Sequence, residues 1–142
     1  MELNEPILSP AQLVIVEGNR SLREVEYEQV KHFASRASKE RVSISNTNKT
    51  MWFQILNDDE VIGCCALYLA AKKIRIKGDW IKHEWRGKGF GEFITKCRML
   101  IAKELDYKLI EVLTLHPHYY RAKGFTIVKE TRKGVWLSTL EI

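Results

Sequence analysis

From Met51 the chain first alternates and then turns continuously apolar: MWFQIL, the turn Asn57-Asp58-Asp59, and VIGCCALYLA. A strand exposed on one side shows a polar residue at every second position, so this pattern predicts a β-hairpin whose second strand is covered on both faces. Ala71-Lys72-Lys73 makes another turn, and Ile74 to Lys82 (IRIKGDWIK) reads as a further strand. Its Gly78-Asp79 interruption is what a bulge or a splay of the sheet looks like in sequence. The period then changes: Phe93, Ile94, Cys97, Leu100, Ile101 and Leu105 follow one face of a helix for about four turns. Leu109 to Leu115 (LIEVLTL) returns to strand, which makes a βαβ-type crossover. Pro117 ends that run, a short helical turn fits before Gly124, and Phe125 to Glu130 with Val135 to Leu140 close as a hairpin.

Upstream, Gln12 to Val16 (QLVIV) is a short β-type run followed by the turn residues Gly18 and Asn19. Ser21 with Glu24 three positions later has the form of a capping box, in which hydroxyl and carboxylate each satisfy an unpaired backbone N–H. It predicts a helix carrying Leu22, Val25, Val30, Phe33, Ala34 and Ala37 on its apolar side and ending near Ser38. Residues 43 to 50 (SISNTNKT) are polar and predict a loop or a weak edge strand. With 142 residues, 45% of them hydrophobic, the chain can bury one full core and is too short for two ordinary ones. The expectation is a single domain over residues 1–142 of the α/β (α+β) class, a mixed sheet of six or seven strands with two or three helices.

No run approaches the roughly 18 consecutive apolar residues of a membrane span, and the opening MELNEP has neither a basic leader nor an apolar signal core. A cytoplasmic protein with no membrane partner is expected. The three cysteines include the neighbours Cys64 and Cys65, which suit neither a disulfide framework nor a metal site and read as small buried hydrophobes. The net charge of +5 is unevenly spread: residues 72–103 hold ten Lys or Arg against Asp79, Glu84 and Glu92. Such a local field attracts phosphates, whether of a nucleotide cofactor or of a nucleic acid.

Within that segment stands EWRGKGFGEF, residues 84–93. A helix start carries unpaired N–H groups and a partial positive charge, so an anion docks there once side chains are out of the way. Glycine at 87, 89 and 91 removes the obstruction, and Arg86 and Lys88 add charge suited to a pyrophosphate. The stretch matches neither GxGxxG nor Walker A. It does match Arg-x-x-Gly-x-Gly, as Arg86-Gly87-Lys88-Gly89-Phe90-Gly91, and about thirty residues on the chain reads Tyr120-Arg121-Ala122-Lys123-Gly124-Phe125.

The first motif resembles the acyl-CoA loop of the GNAT superfamily of N-acetyltransferases, and the second is similar to that family's Tyr-x-x-x-Gly-Phe segment. The resemblance spans residues 51–140, and reaches the first fifty only in strand and helix outline. It implies a mostly antiparallel sheet, splayed in the middle and flanked by helices, and acetyl-CoA as co-substrate. It further implies that the backbone near Ile81 and Lys82 pairs with the pantetheine arm. Arg86, Gly87, Lys88, Gly89, Phe90 and Gly91 would then hold the pyrophosphate, and Tyr120 would give a proton to the departing thiolate.

Attack by an amine needs the amine neutral, so a proton acceptor is wanted across from the thioester. Where some relatives carry a strand glutamate this chain has Ile76, which leaves Asp79, His83, Glu84, His116 and His118, with Asp79 beside the interruption the better carboxylate and His118 the better imidazole. His116-Pro-His118 has no third ligand at a useful spacing, so no metal is expected. The leading reading is transfer from acetyl-CoA to a small-molecule or protein amine by direct attack in a ternary complex. Two alternatives stay open: a DNA-base-modifying enzyme of the Mom-like type, with Trp80, Trp85 and Tyr119 to stack on a base, and a non-catalytic CoA-binding module. A homodimer fits any of these.

Overall fold

The computed structural model describes residues 12–39 and 46–142. The strands are β1 (Val14–Glu17), β2 (Arg20–Val25), β3 (Thr50–Asn57), β4 (Glu60–Leu69), β5 (Ile74–Ile81), β6 (Leu109–Thr114), β7 (Thr126–Arg132) and β8 (Val135–Glu141). The α-helices are α1 (Lys31–Lys39), α2 (Phe90–Glu104) and α3 (Pro117–Arg121). Among the described residues all strands form one sheet in the order β1-β2-β3-β4-β5-β6-β8-β7. The β5–β6 pair is parallel, as a crossover through α2 requires, and the others are antiparallel. None of the helices described is long and apolar enough to cross a membrane.

The sheet has eight strands where six or seven are expected, and the added one is β2. The capping-box reading of Ser21 and Glu24 is corrected here: these residues lie in a strand running antiparallel to β3, with Leu22 opposite Ile55 and Val25 opposite Trp52. Leu22 and Val25 are three apart, a helical spacing, yet both are buried because the strand is covered on both faces. Leu22 joins the cluster under α2 with Phe53 and Ile55, and Val25 joins Trp52, Cys64 and Trp80 under α1. The capping box that does form is Glu26 with Gln29, which opens a 3-10 turn ahead of α1. In α1, Phe33 and Ala37 are buried as expected. The side chain of Ala34 and residues 43–45 of the expected loop lie outside the described residues.

β3 and β4 form the hairpin read from the sequence, and Cys64, Cys65, Ala66 and Leu67 are all buried. α2 turns slightly differently from its expected stripe. Leu100 is 56% exposed and Leu105 is exposed, whereas Phe90, Ile94, Cys97, Arg98 and Ile101 face the sheet.

Two features of β5 open the middle of the sheet. The β4–β5 register runs Gly63↔Ile81 and Cys64↔Trp80, then resumes at Ala66↔Lys77, so Gly78 and Asp79 together face Cys65. This is a β-bulge, and Gly78 takes the left-handed conformation (φ 72°) that such a kink needs. Gly63 lets the strands close beside it, since a Cβ there would stand 2.2 Å from the Trp80 carbonyl oxygen. On the other side, β5–β6 pairing runs from Ile74↔Ile110 to Ile76↔Val112 and stops, so the end of β5 parts from β6.

Candidate active site

The parting strands, the head of α2 and α3 enclose a cleft. Its outer part, about 410 Å³, is bounded by Ile81, Trp85, Arg86, Gly87 and the start of α2. Its inner part, about 430 Å³, is bounded by Asp79, Ile94, His116 and Tyr120. Ile81, Gly91 and Tyr119 line both, so the two are continuous.

Gly87 (φ 73°) and Gly89 (φ 90°) are left-handed, and Gly89 is the N-cap of α2. Among the described residues, no side chain caps this helix start. Its first-turn N–H groups, with the macrodipole behind them, are therefore available to an anion from outside. Lys88 is exposed on the loop, whereas Phe90 is buried and offers only its backbone. Arg86 donates from Nε to the Ile81 carbonyl at 2.7 Å and lies over the Trp80 ring, 5.6 Å from its centroid. Lys82 turns toward β4: its N–H donates to the Ile62 carbonyl at 2.9 Å and its ammonium stands 3.7 Å from Glu60. Neighbouring residues on a strand direct their N–H and C=O to opposite edges, so Ile81 faces the open side and Lys82 does not.

Tyr120 lies on the inner wall, packed edge-on against Tyr119 and Phe125. Burial pushes its phenol above the ordinary value, the Asp79 carboxylate adds to the effect, and Arg98 opposes it. The hydroxyl therefore keeps its proton at neutral pH.

Asp79 borders the cleft, 40% exposed, but both its oxygens are held by Arg98, Oδ2 at 2.8 Å from Nη1 and Oδ1 in close contact with Nη2. Arg98 is 2% exposed and also donates to the carbonyls of Ala66 (3.2 Å) and Lys77 (3.3 Å), acceptors on either side of the bulge. Burial works against the guanidinium charge, but the adjacent carboxylate outweighs it and holds Arg98 above its ordinary pKa. Sequence reasoning counted Arg98 only in the basic segment. The signal was its place in the apolar stripe of α2 beside Ile94, Cys97 and Ile101, where a charge needs a partner.

The imidazole on the cleft wall is that of His116, at the N-cap of α3, a residue whose backbone N–H donates to Thr114 Oγ1 at 2.8 Å. His118, the expected one, is exposed on α3 and is not among the described residues lining the cleft. Tyr119 was read only as a stacking aromatic. It covers the junction of the two parts, its Oη 2.6 Å from where a Cβ on Gly91 would stand.

The aromatics proposed to stack on a nucleic-acid base are mostly committed elsewhere. Trp80 is 6% exposed and stacked on Phe33, and Trp85 packs edge-on against Phe90. The basic segment is also largely paired: Lys73 and Arg75 with buried Glu111, Lys82 with Glu60, Lys96 with Glu17, Arg98 with Asp79.

The bared head of α2, with a slot leading from it to a protonated phenol, has the form an enzyme needs to hold a thioester on a long phosphorylated arm. Fold and cleft together thus define an acyltransferase. The family model for the acetyltransferase (GNAT) family matches residues 17–126, and the chain belongs to that family. No curated protein sequence matches it.

Solved structures share the fold. A GNAT family acetyltransferase from Elizabethkingia anophelis with acetyl-CoA bound superposes with a TM-score of 0.66 at 17% identity, over 89% of this chain and 100% of that one. The N-acetylglutamate synthase of Neisseria gonorrhoeae, complexed with coenzyme A and N-acetyl-glutamate, gives 0.72 at 13% identity, over 89% of this chain and 36% of that one. The ribosomal-protein-S18-alanine N-acetyltransferase of Escherichia coli gives 0.68 at 10% identity, over 87% of this chain and 94% of that one.

Proposed function

We propose that this acetyltransferase passes the acetyl group of acetyl-CoA directly to an amine, with both substrates bound together. The observation that carries the reading is the uncapped start of α2 behind its glycine loop, opening into a cleft that ends at Tyr120. The residues fit such a ligand: Gly87 and Gly89 hold a backbone with no side chain between the helix amides and a diphosphate, and Arg86 and Lys88 supply counter-charge. Ile81 offers its N–H to an extended arm on the side away from β4, its carbonyl already accepting from Arg86 Nε.

Acetyl-CoA supplies the activated acetyl carbon as a thioester. Around it Tyr120 holds a proton at Oη for the leaving sulfur, a role that its raised pKa keeps filled at neutral pH. We assign Asp79 the part of counter-ion to Arg98, since both its oxygens are already engaged by the guanidinium. His116, which lines the cleft beside Tyr120, takes the base role in place of His118.

A route through an acetylated cysteine has little to support it. Burial raises all three thiols, Cys64 up to about 12 and Cys97 up to about 11, so none is a thiolate at neutral pH. Three free, buried thiols also suit a reducing, cytoplasmic setting.

Calorimetry with CoA and acetyl-CoA on wild type and Gly87→Asp tests the reading, followed by a thiol-release screen over small-molecule and protein amines. Gly87 has open space where a Cβ would go, and aspartate tolerates a left-handed backbone, so the variant adds negative charge to the cradle at little steric cost. The wild type should bind CoA and the variant should not. No binding by wild type, or equal binding by both, would overturn the proposal. Binding without turnover of any amine would favour a non-catalytic module.

A further inference from the structure

Arg20 stands at the start of β2, just past the Gly18-Asn19 turn, 68 residues before the glycine loop. The fold lays this β1–β2 hairpin tip against the head of α2. Lys96 Nζ on α2 pairs with Glu17 Oε2 at 2.7 Å, and the Asn19 carbonyl accepts from the Asp58 N–H at 2.6 Å. Arg20 then forks across the loop. Its Nη2 donates to the Lys88 carbonyl at 2.7 Å and its Nη1 to the Gly89 carbonyl at 3.3 Å, while the guanidinium lies 4.9 Å from the Phe90 ring centroid. The close approach needs a glycine at 89, because a Cβ there would stand 3.0 Å from Nη2.

The consequence follows from the planar trans peptide, whose C=O and N–H point in opposite directions. Holding the Lys88 oxygen aims the N–H of Gly89 the other way, and holding the Gly89 oxygen does the same for the N–H of Phe90. Both residues line the outer cleft. The Gly89 carbonyl also accepts from the Phe93 N–H at 3.3 Å, the first bond of α2, whereas the Lys88–Gly89 plane, between glycines at 87 and 89, would otherwise rotate at small cost.

We propose that Arg20 is a positioning residue for the diphosphate site: by clamping the carbonyls of Lys88 and Gly89 it presents the Gly89 and Phe90 amides to the anion in advance of binding. The identity of the anion rests on the acetyl-CoA reading above, but the ordering of the loop does not. The clamp touches the side of the loop away from the ligand, so it acts on affinity for the donor and not on the chemical step.

The test compares wild type, Arg20→Met and Arg20→Lys by ¹⁵N relaxation of the ligand-free protein, CoA titration and steady-state kinetics. Methionine keeps much of the aliphatic stem, and lysine keeps the charge but cannot span two carbonyls as a planar fork does. Both variants should lower the order parameter of Gly89 from about 0.85 to under about 0.6. CoA Kd and the KM for acetyl-CoA should rise about tenfold in both, with kcat at saturation within about twofold, which corresponds to about 1.4 kcal/mol of binding. Unchanged order parameters, or full recovery of affinity by lysine, would overturn the clamp. If the methionine variant fails to fold, the lysine variant decides. If wild type binds no CoA, the acetyl-CoA reading falls and the relaxation data alone judge Arg20.

Discussion

Replacing Arg98 with methionine removes the group that joins α2 to the bulge of β5. The variant loses the bidentate contact with Asp79 and leaves the Ala66 and Lys77 carbonyls without their guanidinium donor. Methionine refills most of the aliphatic stem, so the cavity term is small. Breaking a buried ion pair by deleting one partner costs about 3–5 kcal/mol, and each carbonyl left unsatisfied about 1–3. Asp79 is 40% exposed and regains water, so the ion-pair contribution falls to about 1–2 kcal/mol and, with the lower figure for each carbonyl, the total is about 3–4 kcal/mol. For a domain of this size that lowers Tm by about 10–15 °C. Urea unfolding followed by fluorescence of the four tryptophans reads it directly. Asp79→Asn should also destabilise, and the double variant should lose less than the sum, because both single changes break the same contact. A loss under about 1 kcal/mol for Arg98→Met, or strict additivity, would refute the view that this pair holds the bulge.

Tyr120→Phe should lower kcat about 100-fold while CoA Kd stays within about twofold, as expected for loss of a proton donor; thiol release with the best amine measures it, and a fall under about threefold would remove the role. Stability should decline above pH 9, because the buried thiols keep their protons in the folded protein while the unfolded chain gives them up near the ordinary value of 9.0. The folded state therefore keeps its full stability below that pH and loses it across the window up to about 11 for Cys97 and about 12 for Cys64. Each thiol contributes at most about 1.4 kcal/mol per pH unit. Urea midpoints from pH 8.5 to 10.5 should fall less steeply in Cys97→Ala, and equal slopes would contradict the burial argument.

What the linear chain determined was whatever depends on neighbours a few residues apart. The β3–β4 hairpin was legible because a strand covered on both faces must be apolar at consecutive positions. The glycine-rich start of α2 was legible because three glycines, two cations and the apolar stripe that follows are all local. The order of the Arg86–Gly91 loop and the Tyr120–Phe125 segment was enough to indicate the family, with one helix and one strand between them.

Tertiary structure decided what each polar side chain does, because charges and hydrogen-bonding groups are satisfied by partners far along the chain. Leu22 and Val25 share a helical spacing, yet they face opposite sides of a strand that only β3 and two separate helix layers make stable. Asp79 gains its partner only in space, where α2 brings Arg98 onto both its oxygens. His116 and His118 lie two residues apart in sequence, and the entry of the chain into α3 puts only the first among the described residues lining the cleft. Arg20 carries no local signal, and only the packing of the β1–β2 tip on α2 places it over the loop carbonyls. Local spacing sets where backbone donors can be bared, whereas the pairing of charges follows distances in space that spacing does not encode.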